Sequence, residues 1–190
     1  MNEVSSSQMN EETQEKAVLK NTLTKRVATA GIFIAVGLVL SFLNPFAYFT
    51  LFGTKINPFA HFINAITGVL IGLTFACIVA LGIAILRFAF GIGTIHAFHG
   101  GISGAVVVGT SAYILRKKDP KRIEFAALTE PIGTVFIGGT IAQIIAPIGG
   151  IEGFFIYWGL FAASSIPGCI LGFIMLKILR RAGISWEDYF

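Results

Sequence analysis

A chain of 190 residues that is 55% hydrophobic and 13% charged is too apolar for an ordinary soluble domain, in which about a quarter of the residues are charged. The net charge of +4 does not point to nucleic acid, because the basic residues stand at the ends of apolar runs, where membrane topology accounts for them. Those runs are continuous over about twenty residues instead of alternating in segments of about ten, which excludes a transmembrane β-barrel and predicts an all-α integral membrane protein.

Residues 1–20 are polar and rich in Ser, Glu, Asn and Gln, and read as a disordered or loosely helical cytoplasmic tail. The first apolar run, 23–43, is too long for a signal peptide and has no convincing cleavage site, so it reads as a retained helix. Five more spans follow at about 58–72, 73–90, 100–115, 123–146 and 153–179, giving a six-transmembrane-helix bundle over 21–184 and a short cytoplasmic tail at 185–190. The second and fourth spans are short for a bilayer, and the segments 44–57 and 91–101 are expected to make up the length as ordered outer loops lining a cavity.

Orientation follows from the basic residues. Lys16, Lys20, Lys25, Arg26, Arg116, Lys117, Lys118, Lys121, Arg122, Lys177, Arg180 and Arg181 all fall on one side if the spans number six, leaving Lys55 opposite and Arg87 embedded. Cytoplasmic flanks retain positive charge, so both termini are expected inside the cell membrane. Cys77 and Cys169 lie within spans without metal-ligand or redox spacing and read as packing residues.

Polar groups inside apolar sequence are costly and mark candidate sites. His61 and Asn64 are three apart on one helix face. With Arg87 near the outer end of the third span and Thr94, His96 and His99 in the following loop, they converge on one depth. Two readings stand for each. Arg87 either snorkels to the interface or meets a ligand; His61 and Asn64 either bridge helices or line a pocket. Gln143, Tyr157 and Trp158 near the outer ends of the last two spans either form an interfacial belt or turn inward toward an aromatic ligand. Ser164 lies by Pro167 at an expected kink in the last helix. Glu130, about 10 Å into the fifth span from the cytoplasmic end, either caps the helix restarted at Pro131 or floors the pocket, and on straight helices it falls short of Arg87. The three histidines lack acidic or Cys companions at their depth apart from Glu152 across the outer face, so no metal and no cofactor is expected. Gly31 with Ala35, Gly100 with Gly104, and Ala105 with Gly109 are small-xxx-small pairs that either pack the bundle or dock a partner. No nucleotide-binding, zincin or paired-Asp motif occurs, so any ATP-driven work belongs to another subunit.

The series FAHFINAITGVLIG, ILRFAFGIGTIHAF, GISGA and AALTEPIGT resembles the ThiW family of substrate-binding (S) components of energy-coupling factor (ECF) transporters, over roughly Ile56 to Ile184. The resemblance implies a six-helix S component, itself non-catalytic, whose pocket opens outward. It implies uptake of the thiamine thiazole precursor hydroxyethylthiazole, with a transmembrane coupling subunit and two cytoplasmic ATPases as partners. The family's small-residue docking face on the first helix has Gly31 and Ala35 as its nearest match here. This chain departs from the family pattern at His96, His99 and Pro131. The alternatives are an S component for another small heterocycle and an intramembrane enzyme using the His cluster.

Overall fold

A computed structural model describes residues 2–45 and 50–190, leaving aside the side chains of residues 2–13 and 15–17. Residues 46–49 of the expected outer loop and the side chain of Lys16 therefore lie outside the described residues. The first helix, α1 (Asn2–Leu43), is continuous through the polar stretch that was expected to be a disordered or loosely helical tail. Its Glu, Gln, Lys, Met, Ala and Leu are strong helix formers, and they extend the apolar helix that follows without a breaker. It stops where Asn44 precedes Pro45, because the proline ring disfavours helical backbone at the residue before it. The described part of the segment to α2 contains a tight turn in which Leu51 and Thr54 exchange backbone hydrogen bonds, with Phe52 and Gly53 at positive φ.

The second helix, α2 (Pro58–Leu70), carries Pro58 in its first turn, where a missing N–H costs nothing. It is the hub of the molecule, packed against α1, α3, α4, α5 and α6, and Ile63, Ile66 and Val69 are almost wholly enclosed. Such closeness needs small residues on the facing helices. A Cβ on Gly168 would collide with Pro58 O and His61, and one on Gly172 with Ala65. Gly72, at φ +83°, makes the turn into α3 (Leu73–Ala89). The amides of Ile92 and Gly93 then close the end of α3 by donating to Arg87 O.

The fourth helix, α4 (His96–Lys118), begins within the segment read from sequence as an outer loop, so His96 to Gly101 are its first turns and the loop is confined to the residues before them. The second span is short as expected, α2 having 13 residues, but its companion is the third, α3 with 17, and not the fourth. Among the described residues, 4 helices are long and apolar enough to cross a membrane: α1 over Val18–Leu43, α4, the helix over Pro120–Ile145 (α5) and that over Glu152–Arg181 (α6).

Across Pro120–Ile145, α5 is irregular. It runs as a tight 3₁₀ helix over Pro120–Thr129, widens to a π-helix over Ile132–Gly138, and ends as an α-helix over Gly139–Ile145. Pro131 stands at the change of pitch, where its absent N–H removes one rung of the ladder. The last long helix, α6 (Glu152–Arg181), continues through Pro167. Beyond it, Ser185 and Asp188 form a capping box for a final turn, Trp186–Tyr189. This segment, expected to be a short cytoplasmic tail, packs against the end of the bundle. Arg26 donates to Tyr189 O, and the Arg26 and Arg116 guanidinium groups sit 3.5 and 3.4 Å from the centre of the Phe190 ring.

Candidate functional site

The most demanding group in the molecule is Glu130, whose side chain is 0% exposed among apolar helices. Its Oε1 stands 2.6 Å from His61 Nδ1, accepts a hydrogen bond from Thr134 Oγ1 at 2.7 Å, and is approached by Asn64 Nδ2 at 3.4 Å. Asn64 Nδ2 also donates to Gly101 O at 2.8 Å, and Thr134 Oγ1 lies 3.1 Å from Gly100 O, tying α2, α4 and α5 together. Gly104 leaves the space for this knot, since a Cβ there would collide with Glu130 and Thr134. The carboxylate therefore neither caps a helix nor lines the cleft, but stands behind His61 as a support. Its Oε2 is buried without a partner among the described residues.

Depth reckoned on straight α-helices left Glu130 short of Arg87, capping a helix or flooring the pocket. A 3₁₀ helix rises about 2.0 Å per residue against about 1.5 Å in an α-helix, so the tight residues between the kink at Arg122 and Glu130 carry it roughly 3 to 4 Å farther along the bundle. No ion pair joins it to Arg87 among the described residues.

In front of His61 lies a cleft with about 420 Å³ of space between its atoms, part of it open to the outside. His61, Arg87, Thr94, His96 and Ser164 line it, together with Thr54, Lys55, Asn57, Gly100, Gly101 and Phe161. Arg87 is only 5% exposed and turned into this space, so it does not snorkel. Its Nε is buried without a partner, and no described acidic side chain pairs with it. An uncompensated buried cation costs several kcal/mol, which makes Arg87 the group in the wall that most demands an acceptor.

His96 and His99 meet through Nδ1 and Nε2 at 3.0 Å. His99 stacks on Phe161 at 5.8 Å between ring centres, while His96 sits 5.3 Å from Tyr157. Pairing of His61 with Glu130 separates it from these two rings. Among the described residues no three His, Cys, Asp or Glu side chains gather as a metal-ligand set.

Six expected site residues do not line this cleft: Glu130 and Asn64 stand in the knot behind His61, His99 packs on Phe161, and Gln143, Tyr157 and Trp158 are engaged elsewhere. Gln143 donates to Gly150 O at 3.1 Å and accepts from Ile148 N at 3.0 Å, bracing the turn between α5 and α6. The Tyr157 hydroxyl donates to Ala146 O in the same turn. Trp158 donates to Thr140 Oγ1 at 3.2 Å and packs edge-on against Phe136 and Phe155, away from the cleft. Their polar atoms are engaged by the short connection between two helix ends, which spacing along the chain does not reveal.

Four residues were not singled out from the sequence, although three of them, Thr54, Lys55 and Asn57, fall in the 44–57 segment expected to line the cavity. Asn57 receives its definition from both sides: its N–H donates to Ser164 Oγ at 2.8 Å and its Nδ2 to Ser41 Oγ at 2.8 Å, leaving Oδ1 buried and unpartnered beside the cleft. Thr54 Oγ1 is likewise buried and unpartnered. Lys55 reaches across the mouth and donates to Gly91 O at 2.9 Å. Thr134 belongs to the knot behind His61. An Asn before Pro reads as a helix start, and EPIGT reads as a break in α5, so local signals masked both.

The wall thus offers a donor-only guanidinium, an imidazole, amide and hydroxyl groups, and the flat faces of Phe161 and His96. Searches of curated proteins and of solved structures found no match. A family model described as thiamine-precursor transporter protein matches residues 27–182, covering α1 from Val27 through α6. The chain is a membrane protein of the ThiW family of thiamine-precursor transporters.

Proposed function

We propose that this chain is the S component of an ECF-type importer in the cell membrane and that its cleft takes hydroxyethylthiazole from outside. The observation that carries the reading is the buried Arg87 without a counter-charge, set in a cleft walled by aromatic rings. A thiazole nitrogen or a hydroxyl oxygen supplies the acceptor that the guanidinium lacks, and the ring lies against Phe161 and His96. The six helices all contribute to the membrane domain, with α2 and α3 completed by the turns at their ends. Both termini are cytoplasmic, as the basic residues at that end require.

Energy comes from a transmembrane coupling subunit and two cytoplasmic ATPases. Gly31 and Ala35 are exposed on α1 and nothing lies within 4 Å of a Cβ built on Gly31, which supports a docking role for that face. By contrast Gly104 and Gly109 are consumed by packing inside the bundle. A second reading, an S component for a different small heterocycle, is favoured by the His96–His99 pair at the cleft, which departs from the family pattern.

Vesicles holding the chain with its coupling module and ATP are expected to accumulate labelled hydroxyethylthiazole, and vesicles lacking the module or ATP are not. Mass spectrometry of the molecule that co-purifies with the chain identifies the heterocycle directly. Recovery of another ring compound selects the second reading, and uptake by the chain alone sinks the ECF assignment.

A further inference from the structure

We propose that Glu130 fixes the tautomer of His61 and so makes the site selective for ligands that present a hydrogen-bond donor; the ligand class rests on the function proposed above, but the tautomer does not. Glu130 Oε1 accepts from Thr134 Oγ1 and is approached by Asn64 Nδ2, so this oxygen is the acceptor of the cluster. At 2.6 Å the facing His61 Nδ1 must therefore be the donor. In the neutral ring the other nitrogen, Nε2, is then a pure acceptor.

His61 lines the cleft, and its hydrogen bonds among the described residues are all made by Nδ1, none by Nε2. The neighbouring cations in the cleft wall, Arg87 and Lys55, offer donors only. Nε2 thus presents the opposite polarity to Arg87 across one small space. A ligand with an acceptor at one point and an O–H or N–H at another satisfies both, whereas one without a donor leaves an imidazole lone pair desolvated. Glu130 is a positioning residue in this arrangement, acting on the ligand through His61.

The ligand-free test is nitrogen NMR of the labelled protein, comparing the parent with His61→Gln to assign the ring. A neutral ring protonated at Nδ1 is expected; a ring protonated at Nε2, or at both nitrogens, overturns the proposal whether or not any thiazole binds. The ligand test compares hydroxyethylthiazole with its O-methyl ether, which keeps every acceptor and loses only the donor. Loss of one buried hydrogen bond predicts roughly tenfold weaker binding of the ether to the parent. Glu130→Gln, whose amide oxygen can take the place of Oε1, is expected to keep that preference, and Glu130→Ala to lose it. Equal binding of alcohol and ether to the parent would refute the donor requirement. If neither compound binds, the proposed ligand falls, and the NMR result alone decides the tautomer.

Discussion

At the scale of single residues, the site is a set of side chains whose roles are set by what stands behind them. Arg87 is held by its own helix end, where the amides of Ile92 and Gly93 wrap back to its carbonyl, and it faces the cleft without an anion. A hydrogen bond from a charged donor is worth roughly 1.5–3 kcal/mol, so Arg87→Gln is expected to weaken hydroxyethylthiazole binding about ten- to a hundred-fold in a titration of purified protein. Unchanged affinity would move the ligand off this wall. Gly104 makes a different demand. Because its missing Cβ is the space occupied by Glu130 and Thr134, Gly104→Ala should cost about 1–3 kcal/mol by overpacking. Gly101→Ala, with nothing within 4 Å of the new atom, should leave stability near the parent's. Thermal unfolding in detergent measures the difference, and equal stability of the two variants would contradict the tight knot described here.

At the scale of elements, α1 and α5 carry the departures from regularity that matter. α1 touches the bundle along one side through Gly37 and Ile34, which meet Ile83 and Gly82 of α3. The opposite side exposes Gly31, Ile32, Ala35 and Val39. Replacement of Gly31 or Ala35 by Leu is therefore expected to abolish assembly with the coupling subunit, read by co-purification, and to leave ligand affinity within about twofold, because no cleft residue is touched. Lost affinity with intact assembly would reverse the assignment. In α5 Glu130 stands at the change of pitch and reaches His61, and Thr134, four residues on, donates to the same oxygen.

At the scale of the whole molecule, the ends of the bundle are chemically distinct. The cleft, Lys55 and the turns around Asn57 and Gly93 occupy one end; Arg26, Arg116, the 116–122 basic run and the docked Trp186–Phe190 segment occupy the other. In a background with Cys77 and Cys169 replaced, a cysteine at Asp119 is expected to react only after the cytoplasmic side is opened, and one at Gly150 to react in intact cells. The reverse pattern would invert the molecule and place the cleft inside. Composition and charge placement by themselves determined the membrane class, the all-helical architecture and the end at which polar residues gather, because the cost of burying charge in lipid acts on each segment independently of its neighbours. Local spacing likewise marked His61, Asn64, Arg87 and His96. Only the tertiary structure decided which of the marked residues share a cleft. Whether Gln143 faces a ligand or its own turn, and whether Glu130 reaches His61, depends on helix pitch and on glycines in other helices. These are properties of packed surfaces that no one segment contains.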